Sequence, residues 1–302
     1  MSGAPGQFWS VGECMLELRP QADGRIVHAA AGDSYNTAVY LKRLAPALPV
    51  RYISALGDDV MSGLIRQHMQ AEHIDDGLVD TVAGGTPGLY AIETGAGGER
   101  RFVYWRAQSA ARSMLAPAHL ARLHAESHHC RVLLLTGIAL AILDEDRRTA
   151  LLALAAQLRT AGAWVVLDNN FRAALWDPVT AARWMDRATE VCTHALFSFD
   201  DEVAMHGTSA PAQALARIEA FGVREAVVKL GAAGCLVSGA VHVPAREIDA
   251  IDTTAAGDSF NAAYLSRRLH GTSPVEAAQH GCALAAAVVA HPGAIIPTQA
   301  MP

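Results

Sequence analysis

The chain has 302 residues, a net charge of −6 and no run of five basic residues, which argues against a nucleic-acid surface. It has no C-x-x-C pair. Its five cysteines (Cys14, Cys130, Cys192, Cys235, Cys282) are scattered, which reads as reduced thiols in a cytoplasm rather than a disulfide frame or zinc site. His124 and His128 share a helix face at i, i+4, but HAESH lacks a third ligand nearby, so no metal is expected there. The first residues, MSGAPGQFW, have no basic stretch followed by an apolar core, so no signal peptide is expected. The longest apolar run, 132–143, is broken by Thr136 and Gly137 and is too short to span a bilayer, so no membrane partner is expected either. There is no G-x-x-x-x-G-K-[ST], so phosphates are not held by a P-loop. Gly95-Ala96-Gly97-Gly98 lies between extended runs, which is the wrong context for a dinucleotide fold.

What is present is a core-forming composition: 51% apolar residues, rich in alanine, with 18% charged. That is globular rather than disordered, and the length is ample for a buried core. Extended runs at 8–12, 50–56, 132–135, 164–167, 195–198 and 226–230 alternate with helical patterns at 37–44, 62–73, 144–161, 180–189, 209–221 and 275–290. This rhythm predicts an α/β fold with a mostly parallel sheet covered on both faces. No repeat, charged tail or low-complexity linker breaks it, so residues 1–302 are expected to form one domain.

Two segments depart from the rhythm. Residues 15–19 and 25–30 are short extended runs leaving the core. Residues 89–94 and 101–106 flank the glycine-rich stretch 95–98 as a hairpin. At period 2, Phe102, Tyr104 and Arg106 share a face, which suits a polar anionic ligand; an ordinary edge strand is the plainer alternative. Together, residues about 14–30 and 86–107 are expected to form a small sheet over the active site. Such a lid would expel water and offer a surface for a homo-oligomer, at least a dimer.

The stretch the rest is organised around is 252–260, DTTAAGDSF. Thr254, Ala255, Ala256 and Gly257 are small, and Asp258 follows at the start of a helix-like run. Small residues let backbone N–H groups approach an anion, and a helix start adds partial positive charge. A carboxylate beside bound phosphate can take the proton of an attacking hydroxyl, which is the requirement of phosphoryl transfer to an alcohol. Asp258 as a simple helix N-cap is the alternative.

The stretch resembles the C-terminal signature of the ribokinase-like (PfkB) carbohydrate kinases, with Ala255 where the first glycine is usual. Gly32-Asp33 with Asn36, DNNFR at 168–172, KLGAAG at 229–234 and the closing GAIIP extend the resemblance over nearly the whole chain. Within the family, 32–38 (GDSYNTA) and Tyr104-Trp105-Arg106 look most like the kinases of 2-keto-3-deoxygluconate. The resemblance implies a three-layer α/β sandwich with a β lid, and ATP and Mg²⁺ as cofactors; activation by a monovalent cation stays open. It implies Asp258 as general base, with the N–H groups of Ala255, Ala256 and Gly257 as an anion hole. Gly32, Asp33, Asn36, Tyr90, Tyr104, Arg106 and Arg172 would meet a small sugar acid. Asn170, Arg172, Lys229, Gly231, Gly234, Ala255 and Gly257 would meet the nucleotide. In SFDDE, Glu202 matches the family's acid that organises Mg²⁺ through water, although Phe199 stands at the usual Asn. Arg106 and Arg172 favour a carboxylate, because a guanidinium binds one with two parallel bonds. A kinase of a neutral sugar such as fructose or ribose, and a sugar-binding regulator without chemistry, are the other readings.

Overall fold

The computed structural model describes residues 6–21, 23–94 and 100–302; the first five residues and the glycine-rich stretch 95–98 lie outside them. The strands are β1 Gln7–Val11, β2 Met15–Pro20, β3 Ile26–Ala31, β4 Val50–Gly57, β5 Val79–Val82, β6 Leu89–Thr94, β7 Arg100–Trp105, β8 Cys130–Thr136, β9 Trp164–Asp168, β10 His194–Ser198, β11 Glu225–Lys229, β12 Cys235–Val237 and β13 Val241–Val243. Nine of them form one sheet in the order β13-β12-β11-β10-β9-β8-β1-β4-β5. The pairings from β11 across to β5 are parallel, and β12 and β13 add an antiparallel edge.

This sheet is buried on both faces, so its strands are continuous apolar runs. Alternate residues enter different cores. Trp9, Leu133, Val165 and Phe197 face one helical layer. Phe8, Val132, Leu134, Val166 and Leu196 face the other. The result is a three-layer α/β sandwich. Among the described residues, no helix is long and apolar enough to cross a membrane.

The other four strands form the lid, in the order β3-β2-β6-β7. β2–β3 and β6–β7 are antiparallel hairpins, and β2 pairs with β6 in parallel. On its inner side Met15, Ala31, Tyr90 and Ile92 pack with Ala294, against Ala255 and Ile295. The lid therefore rests directly on the small-residue loop.

Several boundaries differ from the periodicity. The helix expected over 37–44 runs Asp33–Leu44, with Gly32 as its N-cap, so Asp33 and Asn36 sit on its first turn rather than in a loop. The helix expected over 209–221 runs Pro211–Glu219, and Phe199–His206 before it is a further helix that the periodicity did not predict. His124 and His128 do not share a helix, because Pro117–Glu126 ends between them. His124 bonds Gln157, and His128 bonds the Ala125 carbonyl.

Candidate active site

The carboxyl ends of β9, β10 and β11, the Asp33–Leu44 helix, the lid and the 253–258 loop surround a cavity of about 740 Å³. Ligands of open parallel sheets bind at that edge. Asp168 and Lys229 are the last residues of β9 and β11, so strand geometry delivers both to the cavity.

The loop that closes the cavity from the C-terminal side turns on Ala255, at φ 61 and ψ 14. A side chain in this left-handed conformation costs about 1–2 kcal/mol, the physical reason a glycine is usual there. The turn starts the helix Ala256–Leu269, and Thr253–Asp258 all line the cavity. Among the helix-start donors, Ala256 N–H makes only a long 3.3 Å bond to Thr253 O. Asp252 braces the loop. Its Oδ1 accepts from Thr254 N and Oγ1 at 3.1 and 2.7 Å, and its Oδ2 from Gly293 N at 2.6 Å. Gly293 belongs to the closing GAIIP, which Tyr40 holds in turn: its hydroxyl donates to Ala294 O and accepts from Ile296 N.

The helix itself is fixed from behind. Phe260 presses its ring on Gly281 of the Pro274–Val289 helix, where a Cβ would sit 2.7 Å from ring carbons. Tyr264 and Arg268 bond the buried Glu225. Asp258 is therefore held in place rather than free to swing.

Its carboxyl is 9% exposed, and Asn36 Nδ2 donates to its Oδ2 at 2.8 Å. Burial, then the charges of Asp33 and Asp168, push it up to about 8; Asn36 and Lys229 oppose the rise. Asp33 also has a raised pKa, first from burial, and accepts from Asn170 Nδ2 at 2.8 Å. Asp168 accepts from Asn261 Nδ2 at 2.6 Å and from Lys229 Nζ at 3.1 Å. The Nζ would lie 3.5 Å from a Cβ at Gly257, so a cation stands beside the helix start. A buried carboxyl with a raised pKa, an adjacent cation and a run of backbone donors can take a proton from an alcohol while an anion is held.

Arg106, Tyr90 and Tyr104 line the lid side of the cavity. Arg106 Nη2 donates to Glu13, and the Tyr90 hydroxyl donates to Glu17. Tyr104 is half exposed and stacks near Phe102. Gly32 presses its backbone against Glu13 O, where a Cβ would clash, and its N–H donates to Asn36 Oδ1 at 3.3 Å. Arg172 is exposed and lines the cavity too, and its Nη1 donates to Phe171 O at 2.9 Å. It does not pair with Asp168, which Lys229 occupies instead.

Two expectations need correction. Glu202 is fully buried and does not line the cavity. Its Oε2 accepts from Arg217 Nε and Nη2 at 3.0 and 2.7 Å. The neighbouring Asp201, one residue earlier and so about 100° around the helix, lines the cavity with Asp200 and Ser198. Asp201 accepts from Phe171 N, and burial, foremost, raises it to about 6. Gly234 also lies outside the cavity lining; at φ 93 it makes the turn into β12, where a side chain would meet Pro244 and Ala245. Gly231 does line the cavity. The residues missed are Asp201, Asn261 and Glu13. Asn261 was readable, since it lies one turn from Asp258 on the same helix face; Glu13 was not, because only the lid brings it to Arg106.

A doubly wound sheet with such a site at its carboxyl edge is the framework of a small-molecule phosphotransferase. The pfkB family of carbohydrate kinases matches residues 7–301, and the chain belongs to that family. It is 40% identical over 302 residues to the 2-dehydro-3-deoxygluconokinase of Escherichia coli K12, covering 97% of each chain. It is 28% identical to the fructokinase of Klebsiella pneumoniae, covering 86% of this chain and 84% of the other. The crystal structure of a PfkB protein from Polaromonas sp. JS666 superposes with a TM-score of 0.83 at 25% identity, covering 94% of this chain and 96% of that one.

Proposed function

We propose that the chain transfers the γ-phosphoryl group of ATP to a terminal hydroxyl of 2-keto-3-deoxygluconate. The observation that carries this is Asp258: a buried carboxyl with its pKa lifted to about 8, at a small-residue helix start, facing a cavity with Lys229 beside it. The 40% identity to a 2-dehydro-3-deoxygluconokinase over nearly the whole chain supports the substrate class. So do Arg106 and Arg172, which both line the cavity.

Gly32, Asp33 and Asn36 orient the sugar, and Tyr90 and Tyr104 cover it. Arg106 and Arg172 take its carboxylate. Asp258 accepts the hydroxyl proton at Oδ1, the oxygen that Asn36 leaves free. The N–H groups of Ala255, Ala256 and Gly257 stabilise charge developing on the transferred group. Asn170, Lys229 and Gly231 border the nucleotide. Among the described residues no cluster of three His, Cys, Asp or Glu forms a metal cage. The two carboxylates Asp200 and Asp201 on the cavity wall fit Mg²⁺, which keeps waters and substrate phosphates as its other ligands. Asp201 and Asp200 would hold it, and when bound it supplies charge neutralisation on the phosphates.

The lid exposes Ile26, Val27 and Trp105, which supports pairing of two lids in a homo-oligomer. Buried, unpaired cysteines support a reducing, cytoplasmic setting. The test of the activity is ADP release across a panel of keto-deoxy sugar acids and plain sugars. Turnover highest on 2-keto-3-deoxygluconate is expected. Preference for fructose or ribose, or no turnover on any of them, overturns the reading.

A further inference from the structure

Arg106 does not meet the cavity as a lone cation. Its Nη2 is taken by Glu13 Oε2, while its Nε is buried without a partner. Glu13 is 2% exposed, and its Oε1 is also buried without a partner. The surroundings keep room for this carboxylate: a Cβ on Gly88 would lie 2.5 Å from Glu13 Oε1. Glu13 lies two residues past the end of β1, and its own carbonyl backs Gly32. A buried carboxylate with one partner is a poor device for stability alone, because its desolvation offsets most of the attraction. Its effect on a ligand is larger. It holds the guanidinium in one orientation and makes the pair net neutral.

We propose that Glu13 is a positioning residue that sets the charge class accepted at the Arg106 end of the pocket, admitting a carboxylate and rejecting a phosphate dianion. The inference rests on the sugar-acid reading above. A carboxylate carries one negative charge, so it meets Arg106 with modest repulsion from Glu13 and gains a charge-assisted hydrogen bond. A phosphate dianion meets about twice that repulsion at the same distance. Specificity built by a repulsive element in this way is a difference of two affinities. The purpose is clear from the reaction: the pocket sits beside a nucleotide and makes a phosphate ester, and either could otherwise bind backwards on the arginine.

The test compares wild type with Glu13→Gln and Glu13→Asp, using ADP release on 2-keto-3-deoxygluconate and inorganic phosphate as competing anion. Inhibition is counted only where it is competitive with the sugar acid and not with ATP. Gln keeps an acceptor for Arg106 and removes the charge. Its KM for the sugar acid should fall by about threefold, because the repulsion on one charge is relieved, while phosphate inhibition tightens by about tenfold or more. Asp keeps the charge but falls one methylene short. Its KM should rise about tenfold with kcat intact and phosphate inhibition unchanged. Unchanged phosphate inhibition in the Gln variant, or identical behaviour of the two variants, overturns the proposal. If Glu13→Gln does not fold by thermal melting, Gly88→Ala takes its place. It displaces the carboxylate without changing its charge and should raise KM alone; an unchanged KM overturns the proposal. If wild type turns over no sugar acid, the functional reading fails instead. Calorimetric titration of phosphate into wild type and Glu13→Gln then still tests the charge: tighter binding by the variant supports it, and equal binding sinks it.

Discussion

Asp258 and Arg106 line the same cavity but are held in opposite ways. Asp258 rides on a helix locked by Phe260 against Gly281 and by Tyr264 and Arg268 on Glu225, inside the main core. Arg106 follows the edge strand of a four-stranded lid whose own core is five buried residues. The end proposed for the chemistry is therefore built on the rigid body of the fold, and the end proposed for recognition on an element that can move with little loss of packing. That division predicts that damage at one end appears in kcat and damage at the other in KM.

The sharpest break of the comparison is Asp258→Asn. With the fold kept, kcat should fall by ~10²–10⁴ while KM stays within about threefold. Near-normal turnover in steady-state assays would remove Asp258 from the chemistry. Next, Arg106→Ala should raise KM for the sugar acid by ~10–100-fold with kcat little changed, because it removes a paired guanidinium contact. A matching loss on neutral sugars would show that the lid end reads no carboxylate. The mutation also leaves Glu13 buried without its ion pair, so the melting temperature should drop.

The raised pKa of Asp258 gives a third test. The base must be ionised, so kcat/KM should climb about tenfold per pH unit below about 8 and flatten above it. A pH profile with no such limb would separate the site from its proposed role. The same shift sets a stability trend. The folded pKa lies above the ordinary carboxyl value of 3.8, so the carboxyl's favourable contribution is complete below that value and is lost as pH rises towards about 8. Asp258→Asn should therefore stabilise the fold, with a gain that grows between pH 4 and about 8 and then stays level; denaturant titration at several pH values reads this. The smallest effect belongs to Ala255→Gly. Relief of the left-handed Ala should stabilise by about 1 kcal/mol in denaturant unfolding, with kcat unchanged within about twofold. A loss of stability would mean that the loop's conformation is not strained by its Cβ.

Local patterns carried much of this protein. The alternation of apolar strands and helices, the two lid hairpins and the small-residue run before Asp258 were all readable. Each is set by backbone preference and periodicity within a few residues. Hydrophobic period alone could not place side chains within a turn of helix: Glu202 and Asp201 are neighbours, yet one is sealed under Arg217 and the other faces the cavity. Nor could it start the first helix at Asp33, where a glycine N-cap without a side-chain bond gives a weak signal.

Composition and order of residues thus determined that a parallel sheet would form and that an acidic side chain would stand at a helix start. Only the folded chain decided what surrounds it. Asn36 reaches Asp258 across 222 positions, and Glu13 reaches Arg106 across 93. Such pairings depend on strand order and on the lid's docking, which no local propensity encodes. The raised pKa of Asp258 follows from burial among Asp33 and Asp168 in that tertiary arrangement, because desolvation and charge act through space rather than along the sequence.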